Sequence, residues 1–263
     1  MKKIVSIMFI IALVVTLSAC TDRKYSDDSI NVIFFTANRN ATIIPSYLNV
    51  EPGQKIDEPE EPVRAGFAFN GWYKDFLRTE PFDFDIDVAG EQTMILYAGW
   101  IPMTFNIFYE LNGGTMPDTP YPETFQTGQR RVLPLPRRTG YTFVAWFTYP
   151  WVDESSTIPG DRGLQNVPSA QVEDLHLHAH WRAVTASVTF RSNYPIDGQG
   201  PANPNSLVAS YGSEINFPVL ADTDDYIFIG WNSRRDGEGT WYINGEIFIR
   251  TQILTVYGIW QEK

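Results

Sequence analysis

The three histidines of the chain, His176, His178 and His180, alternate along one short segment and are the first candidates for chemistry. Two imidazoles at positions i and i+2 of a strand can bind a zinc ion. Three along an extended strand span roughly 13 Å, so they cannot all reach one metal. His178 also takes the position that Tyr97 and Tyr257 hold in similar segments. The pattern therefore favours an outward-facing row of side chains over a metal site.

Three carboxylates, Asp83, Asp85 and Asp87, recur at alternate positions, which is how an EF-hand calcium loop begins. The sixth position of such a loop would be Val88 and the twelfth Met94, where calcium loops need Gly and Glu. We interpret the segment as a solvated strand face or a turn. We expect neither a metal nor a cofactor.

Nucleophilic catalysis would need a serine, a base and an acid that converge. All histidines lie on one strand, however, and the sequence contains no Gly-x-Ser-x-Gly elbow. Acidic pairs are abundant in a chain with 31 Asp and Glu residues, so their presence alone does not indicate glycosidase chemistry. We expect a protein that is not an enzyme.

Two tryptophans follow turn-like segments and are candidate ligand contacts. Trp151 comes directly after Pro150, and Trp241 follows a short Asp- and Gly-containing run at 236–239. Exposed aromatic side chains on loops can stack on sugar rings or anchor a protein partner. The alternative is that both rings cap a small hydrophobic core.

The charge balance of the chain is strongly acidic, with a net charge of −11. Such an excess repels phosphate backbones, so nucleic acid is not an expected partner. A local basic cluster flanks two prolines, and we interpret it as a solvated loop; it comprises Arg130, Arg131, Arg137 and Arg138.

The elements that carry these residues repeat three times. The heptapeptide at 66–72, Gly-Phe-Ala-Phe-Asn-Gly-Trp, returns at 140–146 and, less closely, at 225–231 with Asp225 in place of the first Gly. Strict alternation along a strand would put its aromatic residues on both faces, unless the strand bends to bury its Trp. Each copy therefore predicts a strand that is wedged between two layers or bent at the Trp.

Fixed spacings tie each copy to a turn glycine and to a second tryptophan. The motif Trp follows a turn Gly by 19, 18 and 19 residues; these glycines are Gly53, Gly128 and Gly212. It precedes the Trp of a short closing strand by 28, 35 and 29 residues; these tryptophans are Trp100, Trp181 and Trp260. The middle copy therefore holds an insertion within 148–172, which we expect to be a surface loop. Asn112-Gly113-Gly114 predicts a tight turn after the first strand of that copy.

The order of strand, Asn-Gly-Gly, Tyr-Gly-like turn, Pro-rich link, Gly-Tyr-x-Phe-x-Gly-Trp-Tyr and Leu-Tyr-Ala-x-Trp resembles the internalin-type B-repeat, also called the Listeria-Bacteroides repeat. The resemblance covers 30–263 and implies three tandem β-grasp-like (ubiquitin-like) modules, mainly β or α+β in class. It also implies a secreted or surface location, a role in adhesion or attachment, and no catalytic residues. The aromatic residues of the motif would form the core.

The N-terminus predicts an export signal. Lys2 and Lys3 precede an apolar run at 4–17, which is too short for a membrane span of roughly 20 residues. It ends in Leu-Ser-Ala-Cys at 17–20, which resembles the lipobox of bacterial lipoproteins, with Cys20 as the lipidated residue. Cys20 is also the single cysteine, so the folded part has no disulfide.

The sequence therefore predicts a signal peptide at 1–19, a lipidated tether at 20–29 and repeat units at 30–102, 103–183 and 184–263. We expect an extracytoplasmic protein, anchored to the bacterial membrane through Cys20 and exposed at the surface. Its expected role is adhesion to, or binding of, a host or extracellular protein or glycan. The alternatives are a passive surface spacer and a carbohydrate-binding lipoprotein.

Overall fold

The computed structural model describes residues 28–36, 40–156 and 158–263. The predicted signal peptide and Cys20 lie outside the described residues. Among the described residues the regular structure is β, apart from one short 3-10 turn, and no helix is long and apolar enough to cross a membrane. The predicted mainly β fold is confirmed.

Each copy of the heptapeptide lies in a separate group of strands, here named repeats 1, 2 and 3. Repeat 1 contains β1 (Ile30–Phe35), β2 (Tyr47–Val50), β3 (Phe67–Tyr73) and β4 (Met94–Pro102). Repeat 2 contains β5 (Thr104–Glu110), β6 (Thr124–Gln126), β7 (Tyr141–Phe147), the 3-10 turn at Glu154–Ser156 and β8 (Leu175–Ala183). Repeat 3 contains β9 (Thr185–Arg191), β10 (Leu207–Ser210), β11 (Glu214–Ile215), β12 (Tyr226–Asn232), β13 (Trp241–Tyr242), β14 (Glu246–Ile247) and β15 (Leu254–Glu262).

The three main sheets share one strand order. The orders are β2-β1-β4-β3, β6-β5-β8-β7 and β10-β9-β15-β12, with β13 added at the edge of the last. In every sheet the first and closing strands of the repeat are parallel neighbours, and the other pairings whose registers are described are antiparallel. The link between the second strand and the heptapeptide strand carries prolines, which remove backbone donors and disfavour regular pairing.

The chain divides into two compact units. Among the described residues, the first comprises those from 28 to 64 together with 69–100, and the second comprises 65–68 together with those from 101 to 263. Each of the three repeats has its own cluster of buried hydrophobic side chains.

The heptapeptide strands of repeats 2 and 3 each contain a bulge, which interrupts the strict alternation of faces. The pairing of β7 with β8 shifts register between Phe143 and Ala145, and that of β12 with β15 shifts between Phe228 and Gly230. The extra residue lets Phe143 and Trp146 share one face, with ring centres 5.4 Å apart. The irregularity lies just before the tryptophan, in repeat 2 between Phe143 and Ala145, and it lets the Trp and the motif Phe enter the same core.

The same aromatic arrangement recurs in all three cores. The motif Trp is 1–2 % exposed in each copy, and it meets an aromatic residue from the first strand; these pairs are Phe34–Trp72, Tyr109–Trp146 and Phe190–Trp231, with ring centres 4.9 to 5.0 Å apart. The motif Phe bridges both tryptophans of its repeat; these residues are Phe69, Phe143 and Phe228. The prediction that the motif forms the hydrophobic centre of each repeat is confirmed.

The predicted turns are present and need backbone conformations that suit Gly and Asn. The three turn glycines have φ between 78° and 83°; they are Gly53, Gly128 and Gly212. Asn112 and Gly113 have φ of 49° and 82°, as the predicted tight turn requires.

Repeats 2 and 3 meet at Gly140, the first residue of the second heptapeptide. Val184 N donates to Gly140 O at 2.9 Å, and Tyr211 N donates to Val184 O at 2.9 Å. Gly140 has a φ of 78°, and a side chain there would collide with the ring of Tyr211. Two similar bonds lie elsewhere in the second compact unit, since Met103 N donates to the carbonyl oxygen of Gly66 and Thr127 N donates to Met103 O. Gly140 therefore forms part of the junction between repeats 2 and 3, where its lack of a side chain leaves room for the Tyr211 ring.

Candidate binding surface

Three positions at or beside the outer face of each sheet differ among the repeats, except that the closing-strand position is Tyr in both repeat 1 and repeat 3. They are the last residue of the first strand, the residue paired with it on the closing strand, and the residue four positions after the motif Trp. We name them the variable positions. The two strand positions lie on the opposite side of the sheet from the aromatic core, and the third, in the segment after the heptapeptide strand, contacts the closing-strand Tyr in repeats 1 and 3.

Repeat 1 fills the variable positions with aromatic rings. Phe35 and Phe76 are 46 % and 63 % exposed, and their ring centres lie 5.8 and 5.9 Å from that of Tyr97 in edge-to-face contacts. Ile95 lies two residues before Tyr97 on β4, on the same face of the strand, and is also exposed. Repeat 1 therefore presents an exposed aromatic and aliphatic face.

Repeat 3 keeps the central tyrosine but surrounds it with positive charge. Arg191 pairs with Tyr257 in the strand register, and the guanidinium carbon of Arg235 lies 5.2 Å from the centre of the Tyr257 ring. A guanidinium and a tyrosine ring attract each other at this separation. The face that is apolar in repeat 1 is cationic in repeat 3.

A cleft of about 450 Å³ opens beside these residues in repeat 3. Its lining includes Arg191, Asn193, Asp197, Asn203, Arg235 and Tyr257. Asn193 ties the cleft together, since its side-chain nitrogen donates to the carbonyl oxygens of Arg235 and Gly258, both at 3.0 Å. The loop that forms the cleft is therefore fixed to the rest of the repeat.

Repeat 2 carries Glu110, His178 and Pro150 at the variable positions. Two residue pairs closer to the start of the strands, on the same face, Phe108 stacks on His176 with ring centres 4.7 Å apart. This face is thus neither uniformly apolar nor cationic.

The histidines do not share one environment, which corrects the sequence-based expectation. His176 is exposed and His178 is half-buried, but His180 is fully buried. Its ring packs against Phe147 and Tyr149, and its Nε2 lies 3.1 Å from the carbonyl oxygen of Tyr149. The bulge in β7 and the residues that begin the inserted loop enclose His180, and neither was evident from the alternation of histidines.

No three His, Cys, Asp or Glu side chains among the described residues are arranged to hold a metal ion. Asp83, Asp85 and Asp87 form a turn, in which Asp83 N donates to Asp87 Oδ2 and Asp85 N donates to Asp83 Oδ1. Lys74 Nζ lies 2.7 Å from Asp87 Oδ1, and it holds the pKa of Asp87 below its usual value. Lys55 Nζ donates to the carbonyl oxygen of Asp85. The segment from Asp83 to Asp87 was predicted to be a solvated strand face or a turn, and it is a turn.

The two candidate tryptophans lie in different surroundings. Trp151 is partly buried and packs against the core of repeat 2, which is the capping arrangement. Trp241 is 45 % exposed on β13, at the edge of the third sheet. A ligand contact by either residue stays a prediction.

The basic cluster is only partly the solvated loop that was expected. Arg138 is half-buried, with its guanidinium carbon 3.8 Å from the centre of the Tyr141 ring and 5.0 Å from that of Trp151. Arg130 Nε donates to Asn166 Oδ1 at 3.0 Å. Arg138 thus joins the Trp151 side chain to the beginning of β7 by cation–π contact.

The sequence contains a signal for the third variable position that residue types alone do not reveal. The residue four positions after the motif Trp changes from Phe76 to Pro150 to Arg235, at a fixed offset from a repeated residue. The parallel register that brings Phe35 or Arg191 beside these residues depends on strand pairing, which repeat spacing alone does not reveal.

The fold and the site together define a tandem-repeat β protein with a repeated core and a varied outer surface. The sequence profile of the Listeria-Bacteroides repeat domain matches residues 31–99, 105–161 and 187–258. The chain belongs to this family, as the sequence resemblance predicted.

Two curated relatives align with most of this chain, and a third aligns with part of it. It is 30 % identical over 239 residues, 90 % of its length, to a protein of Evansella cellulosilytica named "Putative membrane protein", and covers 34 % of that protein. It is 27 % identical over 243 residues to "Putative Gly-rich membrane protein" of the same organism, covering 90 % of this chain and 25 % of that one. A match of 26 % identity over 100 residues, 38 % of this chain and 18 % of the other, links it to Internalin H of Listeria monocytogenes. The chain thus spans about a third or less of the relatives it matches, and no solved structure matches it.

Proposed function

We propose that this chain is a lipid-anchored, extracytoplasmic protein whose repeats bind an extracellular ligand, either a protein or a glycan, without performing chemistry on it. The observation that carries the proposal is the contrast between the repeated aromatic cores and the variable positions. Phe35 and Phe76 are large apolar side chains left exposed side by side around Tyr97. Clustered exposed aromatic residues are typical of binding surfaces.

The binding part of the proposal is tested by screening the full-length chain against arrays of glycans and extracellular proteins. Phe35→Ser with Phe76→Ser should abolish or weaken binding by at least about tenfold, since exposed aromatic anchors carry much of an interface energy. Ile43→Ser is the matched control, because Ile43 is 86 % exposed in the same repeat and is not at a variable position. Trp151→Ala and Trp241→Ala test the two tryptophans in the same screen.

A passive spacer is the alternative. It predicts that no ligand is retained on either array, or that retention is equal for the wild type and all of these variants. Loss of binding in Trp241→Ala alone would move the contact surface to the edge of repeat 3 and contradict the role given to Phe35 and Phe76.

Anchoring is supported by the Leu-Ser-Ala-Cys sequence at 17–20 and by the names of the two Evansella relatives, both of which contain the words membrane protein. Cys20→Ser should abolish metabolic labelling with a radioactive fatty acid and release the protein from the membrane fraction. Acyl chains are what hold such a protein on the bilayer. Labelling that persists in Cys20→Ser would contradict the anchor.

A further inference from the structure

We propose that the cleft of repeat 3 binds the carboxylate group of an acidic sugar. This inference rests on the proposed function and names the ligand class for one of the variable surfaces. The cleft has a volume of about 450 Å³, within the range of small-ligand sites, and lies wholly inside the second compact unit.

The lining of the cleft carries more positive than negative side chains. Arg191 and Arg235 are both exposed on its lining, and Asp197 is the acidic residue that lines it. Among the described residues, neither arginine forms an ion pair with a carboxylate. In a chain with 31 acidic and 20 basic residues, two neighbouring guanidinium groups without a carboxylate partner are available for an anion brought by a ligand. A guanidinium binds a carboxylate through two parallel N–H bonds.

The neighbouring guanidinium provides a contrast. Arg234 is already paired, with 2.6 Å to Asp236 Oδ2 and 4.0 Å to Glu238 Oε2. Arg235, the next residue, points its guanidinium over the Tyr257 ring beside the cleft instead. The two adjacent arginines therefore differ in whether an internal acid neutralises them.

The other groups on the lining suit a hydroxyl-rich molecule. Asn193 and Asn203 lie on the lining, and side-chain amides bind sugar hydroxyls as donors and acceptors. Both amides also hold the loop in place, since Asn203 Oδ1 accepts from Ser192 N at 2.7 Å and Asn193 is tied to Arg235 O and Gly258 O. A site fixed in this way loses little entropy when it binds.

The acidic chain argues against a densely charged polyanion. A net charge of −11 repels nucleic acid at long range, while two local arginines can still neutralise isolated carboxylates. A short acidic sugar, with one or two carboxylates among its hydroxyl groups, therefore fits this surface better than a long polyanion.

The test is calorimetric titration of the full-length chain with a short oligogalacturonate, the dimer or trimer, which carries a carboxylate on each sugar. The matched ligand is the methyl-esterified oligomer, which keeps the sugar chain but loses the charge. We expect binding of the first, at least about tenfold weaker binding of the second, and weakening of the first by added salt. No heat with oligogalacturonate, or equal affinity for both oligomers, would overturn the inference.

Substitutions locate the site. Arg191→Gln and Arg235→Gln should each weaken oligogalacturonate binding about three- to tenfold, and the double variant should weaken it further, whereas Arg234→Gln should not change it. Equal effects of all three substitutions would show a general charge effect and overturn the cleft as the site. If arrays retain the chain through Phe35 and Phe76 but oligogalacturonate gives no heat, this inference fails while the proposed function stands. If the arrays retain nothing but oligogalacturonate binds through Arg191 and Arg235, the binding role assigned to repeat 1 fails while this inference stands.

Discussion

The buried imidazole of His180 makes the stability of its unit depend on pH. Burial lowers the pKa of His180, as does the nearby charge of His178, while the carbonyl of Tyr149 and the carboxylate of Asp161 act in the opposite direction. Since the folded pKa is lowered, the unfolded chain binds a proton more readily. The stabilisation is therefore complete above the ordinary histidine pKa of about 6.5 and is lost as the pH falls below it.

We expect the melting temperature of the second unit to fall between pH 7.5 and pH 5.5, and to fall less steeply in His180→Gln. Calorimetric scans at several pH values measure the slopes. His176→Gln is the control, because His176 is exposed and should leave the slope unchanged. Identical slopes for the wild type and His180→Gln would contradict the assignment.

The three motif tryptophans are equally buried but not equally hydrogen-bonded. The indole nitrogens of Trp146 and Trp231 donate to the carbonyl oxygens of Pro134 and Pro218 at 2.7 and 2.6 Å. The buried indole nitrogen of Trp72 has no hydrogen-bond partner among the described residues. Replacement of the motif Trp by Phe therefore leaves a carbonyl oxygen without its indole donor in repeats 2 and 3 but not in repeat 1.

Trp146→Phe and Trp231→Phe should each cost about 1–3 kcal/mol more than Trp72→Phe in the free energy of unfolding of their own unit. Replacement by Ala should cost about 3–5 kcal/mol at any of the three positions, because it leaves a large cavity. Urea unfolding measures both series. Near-wild-type stability of the three Ala variants would refute the core assignment, and equal costs of the three Phe variants would refute the hydrogen-bond difference.

At the scale of elements, two glycines with the same backbone conformation allow two contributions to stability to be compared. One is the cost of a side chain at positive φ, and the other is the cost of a steric clash at the junction between repeats 2 and 3. Gly140 and Gly128 have φ of 78° and 80°, but a Cβ at Gly128 would meet nothing within 4 Å, whereas one at Gly140 would collide with Tyr211. Gly128→Ala should cost about 1 kcal/mol for the positive φ alone. Gly140→Ala should cost more.

The additional free-energy cost of Gly140→Ala should decrease when the substitution is made in a Tyr211→Ala background, because the colliding ring is then absent. Chemical unfolding of the four variants, treated as a double-mutant cycle, measures this coupling. Additive effects of Gly140→Ala and Tyr211→Ala would mean that the contact does not constrain the junction.

At the scale of the whole chain, repetition made the architecture predictable. Fixed distances between a turn Gly and two tryptophans identified the turns, the mainly β class and the residues of the core. The bulge that reunites Phe143 with Trp146 was not predictable in the same way, because it depends on pairing with β8. His180 was misplaced for the same reason, and the cleft beside Arg191 and Arg235 requires the parallel pairing of two strands about 65 residues apart in sequence. Local sequence patterns identify the core residues, whereas the pairing of strands that are distant in sequence determines which side chains are neighbours.

The parallel pairing of first and closing strands has a mechanical consequence. In repeat 1 four residue pairs join the two strands, from Val32 with Met94 to Phe35 with Tyr97, and repeats 2 and 3 match this length. Tension applied through the chain pulls these neighbours in opposite directions along their length, so the hydrogen bonds between them bear load together in shear instead of opening one at a time.

A surface protein held at one end and loaded at the other meets such tension. We expect single-molecule stretching to show abrupt unfolding events at high force. A proline in place of Thr189 or Thr255, on the paired strands of repeat 3, should lower the force of one event and leave the others unchanged, because it removes a backbone donor. A smooth extension without force peaks would show that the paired strands do not act as a clamp.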